Sequence, residues 1–206
     1  MKIVCLGDSL TYGYGVLRNQ VWTAQLNRSC QDHLFINRGI SGDTTGGMLA
    51  RMDADVLSEA PEYVLLMGGS NDIFLTGDFL LAKCNISSMV FQALSKGLHP
   101  LLGIPIPVCK ERLTSNWKIV IGDNNVNDKI NRYRTWLLEF GEQYYVEIID
   151  FYDAVIACES EAAELYLDGL HLNQKGQSLM TACVTKSMCS WGARKVGSSE
   201  ERESTI

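Results

Sequence analysis

The chain has 206 residues, 46% of them hydrophobic and 20% charged, with a formal net charge of −6. That is a folded globular composition, long enough for one large domain or two small ones. The acidic balance and the lack of a basic run argue against nucleic-acid binding, and no stretch approaches the about 18 apolar residues of a membrane span.

The first apolar run, residues 2–6 (KIVCL), is too short for a secretory h-region and ends in Gly7 and Asp8, so the expected compartment is the cytoplasm. Similar runs recur at 34–37, 63–67, 100–106 and 145–149. Each has strand length and none alternates strictly with polar residues, which suits strands buried on both faces of a parallel sheet. Helical patterns lie between them. Val21, Ala24 and Leu26 lead one before Cys30. Met48, Leu49, Met52 and Val56 have the three-four spacing of a buried stripe, as do Ile86, Met89, Val90, Ala93 and Leu94. Ile130, Tyr133, Trp136, Leu137 and Phe140 repeat it, and a last helix starting near Asn173 carries Leu179, Ala182 and Cys183. Strand then helix, five times, predicts a three-layer α/β/α domain over residues 1–191.

Two segments break this rhythm. Residues 106–126 form a long predicted loop with Pro107, Trp117 and the turn-rich "GDNN", in which "IVI" (119–121) reads as a short strand or as apolar lining. Residues 192–206 are poor in apolar side chains and are expected to be disordered.

The seven cysteines are odd in number and show no CxxC spacing, so they are expected as reduced thiols serving as small core residues. His33, His99 and His171 are far apart and no HExxH occurs, so no metal or cofactor is expected. Phosphate-loop and GxSxG patterns are absent. "GYGVLR" (13–18) begins like a dinucleotide loop but has Arg18 where a third glycine is needed.

Ligands of open α/β sheets bind beyond the carboxyl ends of the strands. There the sequence carries "GDSL" (7–10), "NRGISGDT" (37–44) and "GGSND" (68–72), and "DGLHLN" (168–173) precedes the last helix. Together these supply an acyl-transfer site. Ser9 is the hydroxyl nucleophile, His171 the base that takes its proton, and Asp168 the acid that orients the imidazole. The N–H groups of Ser9 and Gly42 and the amide of Asn71 are the candidate oxyanion donors. Taken singly, each has a plainer use. Ser9 can cap a helix, Gly42 can permit positive φ, Asn71 can be a turn residue, and Asp168 and His171 can be turn and cap residues. Asp8 and Asp72 are expected to hold loops by hydrogen bonds. What favours the chemical reading is that all four segments fall, in order, at predicted strand ends or a helix entry.

This set of motifs resembles the SGNH superfamily, the GDSL-type esterases and lipases. "SGDT" within "NRGISGDTTGGMLARMD" is particularly similar to bacterial single-domain acyl hydrolases of the thioesterase/lysophospholipase type. The likeness runs from the first residues to about Asn173 and departs from the usual pattern at Leu172, where the family has a proline after the histidine. It implies a flavodoxin-like sheet of five parallel strands in the order 2-1-3-4-5. It also implies the same catalytic residues (Ser9, Asp168, His171) and oxyanion residues (Ser9, Gly42, Asn71).

The implied activity is a serine hydrolase acting on a small-molecule carboxylic ester or thioester of a short-to-medium acyl group. Ile73, Phe74, Pro107 and Trp117 are the candidate acyl-site walls, while Lys110 and Arg112 are expected as solvated charges. Alternatives on the same chemistry are a deacetylase of acetylated carbohydrate and an acyltransferase. A non-catalytic binding module on the same fold is the alternative of a different class, and intact Ser9, Asp168 and His171 count against it.

Overall fold

Lys2–Gly7 (β1), Leu34–Gly39 (β2), Tyr63–Met67 (β3), His99–Ile104 (β4) and Glu147–Asp150 (β5) form a parallel sheet in the order β2-β1-β3-β4-β5. The computed structural model describes residues 1–122 and 125–191. The α-helices are Ser9–Tyr12 (α1), Trp22–Ser29 (α2), Thr45–Ala50 (α3), Met52–Asp55 (α4), Ser70–Thr76 (α5), Leu80–Ser95 (α6), Ser115–Ile121 (α7), Val126–Tyr144 (α8), Phe151–Ile156 (α9) and Gln174–Trp191 (α10). The expected α/β/α layering and strand order are both present.

The two-sided burial follows from the strand period of two. Val4, Leu6, Val64, Leu66, Leu102 and Ile104 face one way, onto Met48 of α3, Met52 of α4, Met89 and Val90 of α6, and Ile130 and Leu137 of α8. Ile3, Cys5, Leu65, Met67 and Leu101 face the other way, onto Trp22 and Leu26 of α2, Phe151 and Val155 of α9, and Met180 and Val184 of α10. Each fully buried aliphatic side chain stabilises the fold by about 1.5–3 kcal/mol, which explains why the runs lack polar alternation.

Register places the site. Gly7 of β1 lies opposite Gly39 of β2 on one side and Met67 of β3 on the other. The three strands therefore end level, and the segments bearing Ser9, Gly42 and Asn71 leave the sheet at one edge.

Several expected boundaries shift. The stripe from Met48 to Val56 spans two short helices, because Arg51 leaves helical geometry at φ −107° and ψ 10°. The last strand starts at Glu147 because Tyr145 takes a left-handed conformation, φ 55°, that ends α8. The predicted loop 106–126 carries a helix, α7, and "IVI" belongs to it instead of to a strand. Its helical spacing sends Trp117 and Ile121 inward and leaves Ile119 83% exposed. Of the cysteines, all free, Cys5 is fully buried and Cys30, Cys109, Cys158 and Cys183 are partly buried against the core, whereas Cys84 and Cys189 are exposed and depart from the core role expected of all seven. Residues 192–206, expected to be disordered, and Asp123 and Asn124 of the "GDNN" turn lie outside the described residues. Among the described residues no helix is long and apolar enough to cross a membrane, and no group of three or more His, Cys, Asp or Glu is placed to hold a metal ion.

Candidate active site

Ser9 is the first residue of α1, directly past the end of β1. Asp8 caps that helix, its Oδ1 accepting the N–H of Leu10 at 2.9 Å. The cap and the candidate nucleophile are therefore neighbouring residues: Asp8 does the capping, and the Ser9 hydroxyl is left for another partner. That partner is His171, whose Nε2 lies 3.0 Å from Ser9 Oγ. On the other side of the ring, His171 Nδ1 lies 2.8 Å from Asp168 Oδ2.

The turn that carries this pair is held by its own backbone. Leu167 N–H donates to the His171 carbonyl at 2.8 Å, and Asp168 Oδ1 accepts the N–H groups of Leu170 at 3.0 Å and His171 at 2.8 Å. Burial pushes the Asp168 carboxyl upward, but hydrogen bonds from the His171 ring and from those two N–H groups outweigh it and hold the group below the usual carboxylate range. His171 is only 6% exposed. The Tyr14 ring packs on it at a centroid distance of 4.4 Å, and Trp117 meets it edge-on at 5.5 Å.

Gly42 lies in the turn after β2, where Asp43 N–H returns to the Ile40 carbonyl at 3.2 Å. Its φ of +81° is the left-handed conformation that glycine adopts without strain. Asn71 is in the first turn of α5, and its Nδ2 donates to the Asp43 carbonyl at 2.7 Å. Asp72, 4% exposed, accepts the Thr45 N–H at 2.9 Å and the Thr45 hydroxyl at 2.6 Å, tying α5 to α3. Asp8 and Asp72 thus hold loops, as expected. Asp8 is 1% exposed, and burial pushes its carboxyl up to about 7 against the pull of the Leu10 N–H; the charges of Asp43 and Asp72 add to the rise.

Ser9, Gly42, Asn71 and His171 border one cavity of about 250 Å³. Its other walls are mainly apolar and include Leu10, Tyr14, Phe74, Pro107, Trp117 and Val120. Of the candidate acyl-site walls, Phe74, Pro107 and Trp117 line this cavity. Ile73 does not: it is 2% exposed and packs in the core with Val126 and Ile130, because its neighbour Phe74 takes the cavity side of α5. "IVI" contributes Val120 to the lining. Lys110 and Arg112 are exposed and lie off the cavity.

Three contacts had no motif to mark them. Arg51 Nε donates to Asp43 Oδ2 at 2.8 Å, Nη1 to the Arg38 carbonyl and Asp55 Oδ2, each at 2.7 Å, and Nη2 to the Gly7 carbonyl at 2.9 Å. It joins the ends of β1 and β2 to the Gly42 turn, and its one sequence hint is an arginine within the buried stripe from Met48 to Val56. Tyr14 reaches His171 through a turn held by Arg18, whose Nη1 and Nη2 donate to the Tyr12 and Gly13 carbonyls at 2.7 Å each. The arginine that spoils the dinucleotide pattern is thus the clamp of this turn. The third contact joins Trp117 to Asp168.

A hydroxyl bonded to an imidazole, an imidazole bonded to a carboxylate, and nearby N–H donors above an apolar cavity are the parts acyl transfer requires. Residues 5–179 match the family described as GDSL-like Lipase/Acylhydrolase. Over 110 residues the chain is 33% identical to Esterase TesA of Pseudomonas aeruginosa, covering 51% of this chain and 55% of that protein. Over 71 residues it is 39% identical to Thioesterase 1/protease 1/lysophospholipase L1 of Escherichia coli K12, covering 34% of each. The chain therefore spans about half or less of the length of these curated relatives. The crystal structure of the lipase/acylhydrolase from Enterococcus faecalis superposes with a TM-score of 0.73 at 26% identity, covering 92% of this chain and 95% of that one.

Proposed function

The chain belongs to the GDSL-like lipase/acylhydrolase family, and we propose that it is a serine hydrolase, cleaving carboxylic esters or thioesters of short-to-medium acyl groups through an acyl-enzyme. The observation that carries this is the continuous chain from Ser9 Oγ to His171 Nε2 at 3.0 Å and from His171 Nδ1 to Asp168 Oδ2 at 2.8 Å, opening on the cavity.

In this reading Ser9 Oγ attacks the acyl carbonyl while His171 Nε2 takes its proton, and Asp168 stabilises the imidazolium. The tetrahedral oxyanion is met by the N–H groups of Ser9 and Gly42 and by the Asn71 amide. Ser9 is suited to this because the first N–H of a helix has no intrahelical acceptor. Asn71 is suited because one amide hydrogen is committed to the Asp43 carbonyl, which sets the direction of the other. Collapse of the intermediate breaks the C–O or C–S bond, and the leaving alcohol or thiol departs with the proton from His171. Water, deprotonated by His171, attacks the acyl-Ser9 ester, and its collapse returns the proton to Ser9 and frees the acid. Phe74, Pro107 and Trp117 wall the acyl chain.

Hydrolysis of p-nitrophenyl acetate by wild type and Ser9→Ala, with fluorophosphonate labelling and mass spectrometry of the modified peptide, tests this. Turnover lost with Ser9 and a label on Ser9 are the expected results. Equal rates in both proteins, or a label elsewhere, overturn the reading. A p-nitrophenyl ester series beside acetylated sugars separates esterase from carbohydrate deacetylase, and product analysis with an added alcohol separates both from acyltransferase.

A further inference from the structure

Asp168 accepts a hydrogen bond that the Ser–His–Asp arrangement does not require. Trp117 Nε1 donates to Asp168 Oδ2 at 2.8 Å, the same oxygen that meets His171 Nδ1 at 2.8 Å. With the N–H groups of Leu170 and His171 on Oδ1, the carboxylate then has a polar partner on each side of both oxygens and cannot turn without breaking one.

The segment before Trp117 is docked on the same turn. Cys109 N–H donates to the Gly169 carbonyl at 2.9 Å, and Thr114 N–H donates to the Asp168 carbonyl at 3.2 Å. Gly169 sits so close that a Cβ there would lie 2.7 Å from the Cys109 carbonyl oxygen and from the Leu113 backbone, at a φ of +90°. The approach leaves no room for a side chain. Trp117 also lines the cavity and meets the His171 ring edge-on. One side chain therefore touches the acid, the base and the acyl wall.

We propose that Trp117 is a positioning residue for the acid–base pair: its indole N–H locks the Asp168 carboxylate in the orientation that His171 needs, while its ring walls the acyl cavity. The inference rests on the hydrolase reading above. A bond from a neutral donor to a charged carboxylate, partly buried beside the imidazole, is among the stronger single contacts in the site.

The test is Trp117→Phe, which keeps a wall and removes the donor. Expected is a roughly ten- to hundred-fold fall in kcat on p-nitrophenyl butyrate, with KM within about two-fold. The pH below which activity is lost should also move upward, because a carboxylate with one donor fewer has more of its charge left to hold the proton on the imidazole beside it. Trp117→Ala should lower kcat similarly and raise KM for longer acyl chains as well. A direct reading of the contact comes from the ¹⁵N-labelled protein: the indole N–H resonance missing from Trp117→Phe should shift in Asp168→Asn. Unchanged kcat and pH profile in Trp117→Phe, or an indole resonance indifferent to Asp168→Asn, overturns the proposal. Loss confined to thermal stability or KM overturns it too. If wild type shows no Ser9-dependent turnover, the hydrolase reading falls and takes the positioning role with it, whereas active wild type with wild-type behaviour in Trp117→Phe overturns the positioning role alone.

Discussion

Asn71 Nδ2 donates to the carbonyl of Asp43 at 2.7 Å, so the side-chain amide at the start of α5 is aimed by the turn that also holds Gly42. One hydrogen bond between residues 28 positions apart therefore joins the helix that carries one proposed oxyanion donor to the turn that carries another. Asn71→Ala removes a donor that acts on the developing charge more than on the ground-state ester. The expected result is a fall in kcat of about two to three orders of magnitude with a much smaller change in KM. Steady-state kinetics on p-nitrophenyl acetate measures both. A rise in KM at unchanged kcat makes Asn71 a substrate-binding group instead.

Arg51 extends this relationship one step outward. Its guanidinium holds Asp43 at 2.8 Å and the Gly7 carbonyl at 2.9 Å, and its side chain is largely buried. Arg51→Ala frees the Gly42 turn and leaves Asp43 without its cation. Because the effect reaches the reaction through the same turn that aims Asn71, the two substitutions should be non-additive. In a double-mutant cycle, Asn71→Ala should cost clearly less kcat on the Arg51→Ala background than on wild type. Additive losses would show that Arg51 supports the fold without directing the amide.

The reach of sequence reasoning into this site has a physical limit that these two residues mark. That Ser9, Gly42, Asn71, Asp168 and His171 come together was legible because apolar runs announce the strands and the motifs directly follow the strand ends, or precede the last helix. The level ends of β1, β2 and β3 did the rest. Arg51 was illegible because it acts by reaching carbonyls of Gly7 and Arg38, which no local pattern encodes. Trp117 was legible as a wall but not as a donor to Asp168, since that bond spans 51 residues. Ile73 and Phe74 are adjacent and equally apolar, and only the rotation of α5, a helix too short to show a period, decides which one faces the cavity.

The cavity makes a prediction about chain length. Phe74 stands in its wall beside Leu75 and Pro107, and the enclosed space is about 250 Å³. Phe74→Ala removes a ring from that wall and lengthens the space for an acyl chain. The ratio of kcat/KM for p-nitrophenyl decanoate to that for the butyrate should rise roughly ten-fold, the effect of a methylene or two gaining or losing room in an apolar pocket. An unchanged ratio in a folded variant would place the acyl chain elsewhere.

Asp8 makes a prediction about stability that is independent of turnover. Its carboxyl is 1% exposed, and burial lifts it from the ordinary 3.8 to about 7 in the folded state. Between those two values the folded chain holds a proton that the unfolded chain has released, so stability falls as pH rises through this window and is level above it. At about 1.36 kcal/mol per pH step, ionising Asp8 in the fold costs on the order of 4 kcal/mol at pH 8. An asparagine keeps an oxygen for the Leu10 N–H, the bond that caps α1, and carries no charge to desolvate. Asp8→Asn should therefore raise the midpoint of urea unfolding at pH 8, with the gain shrinking steadily towards pH 4, where wild-type Asp8 is itself protonated in the fold. Midpoints measured at pH 4.5, 6 and 8 decide the sign. A variant less stable than wild type at pH 8 would mean that the buried carboxylate is stabilised by its surroundings beyond the Leu10 bond, and that its charge is part of what holds the turn at Ser9.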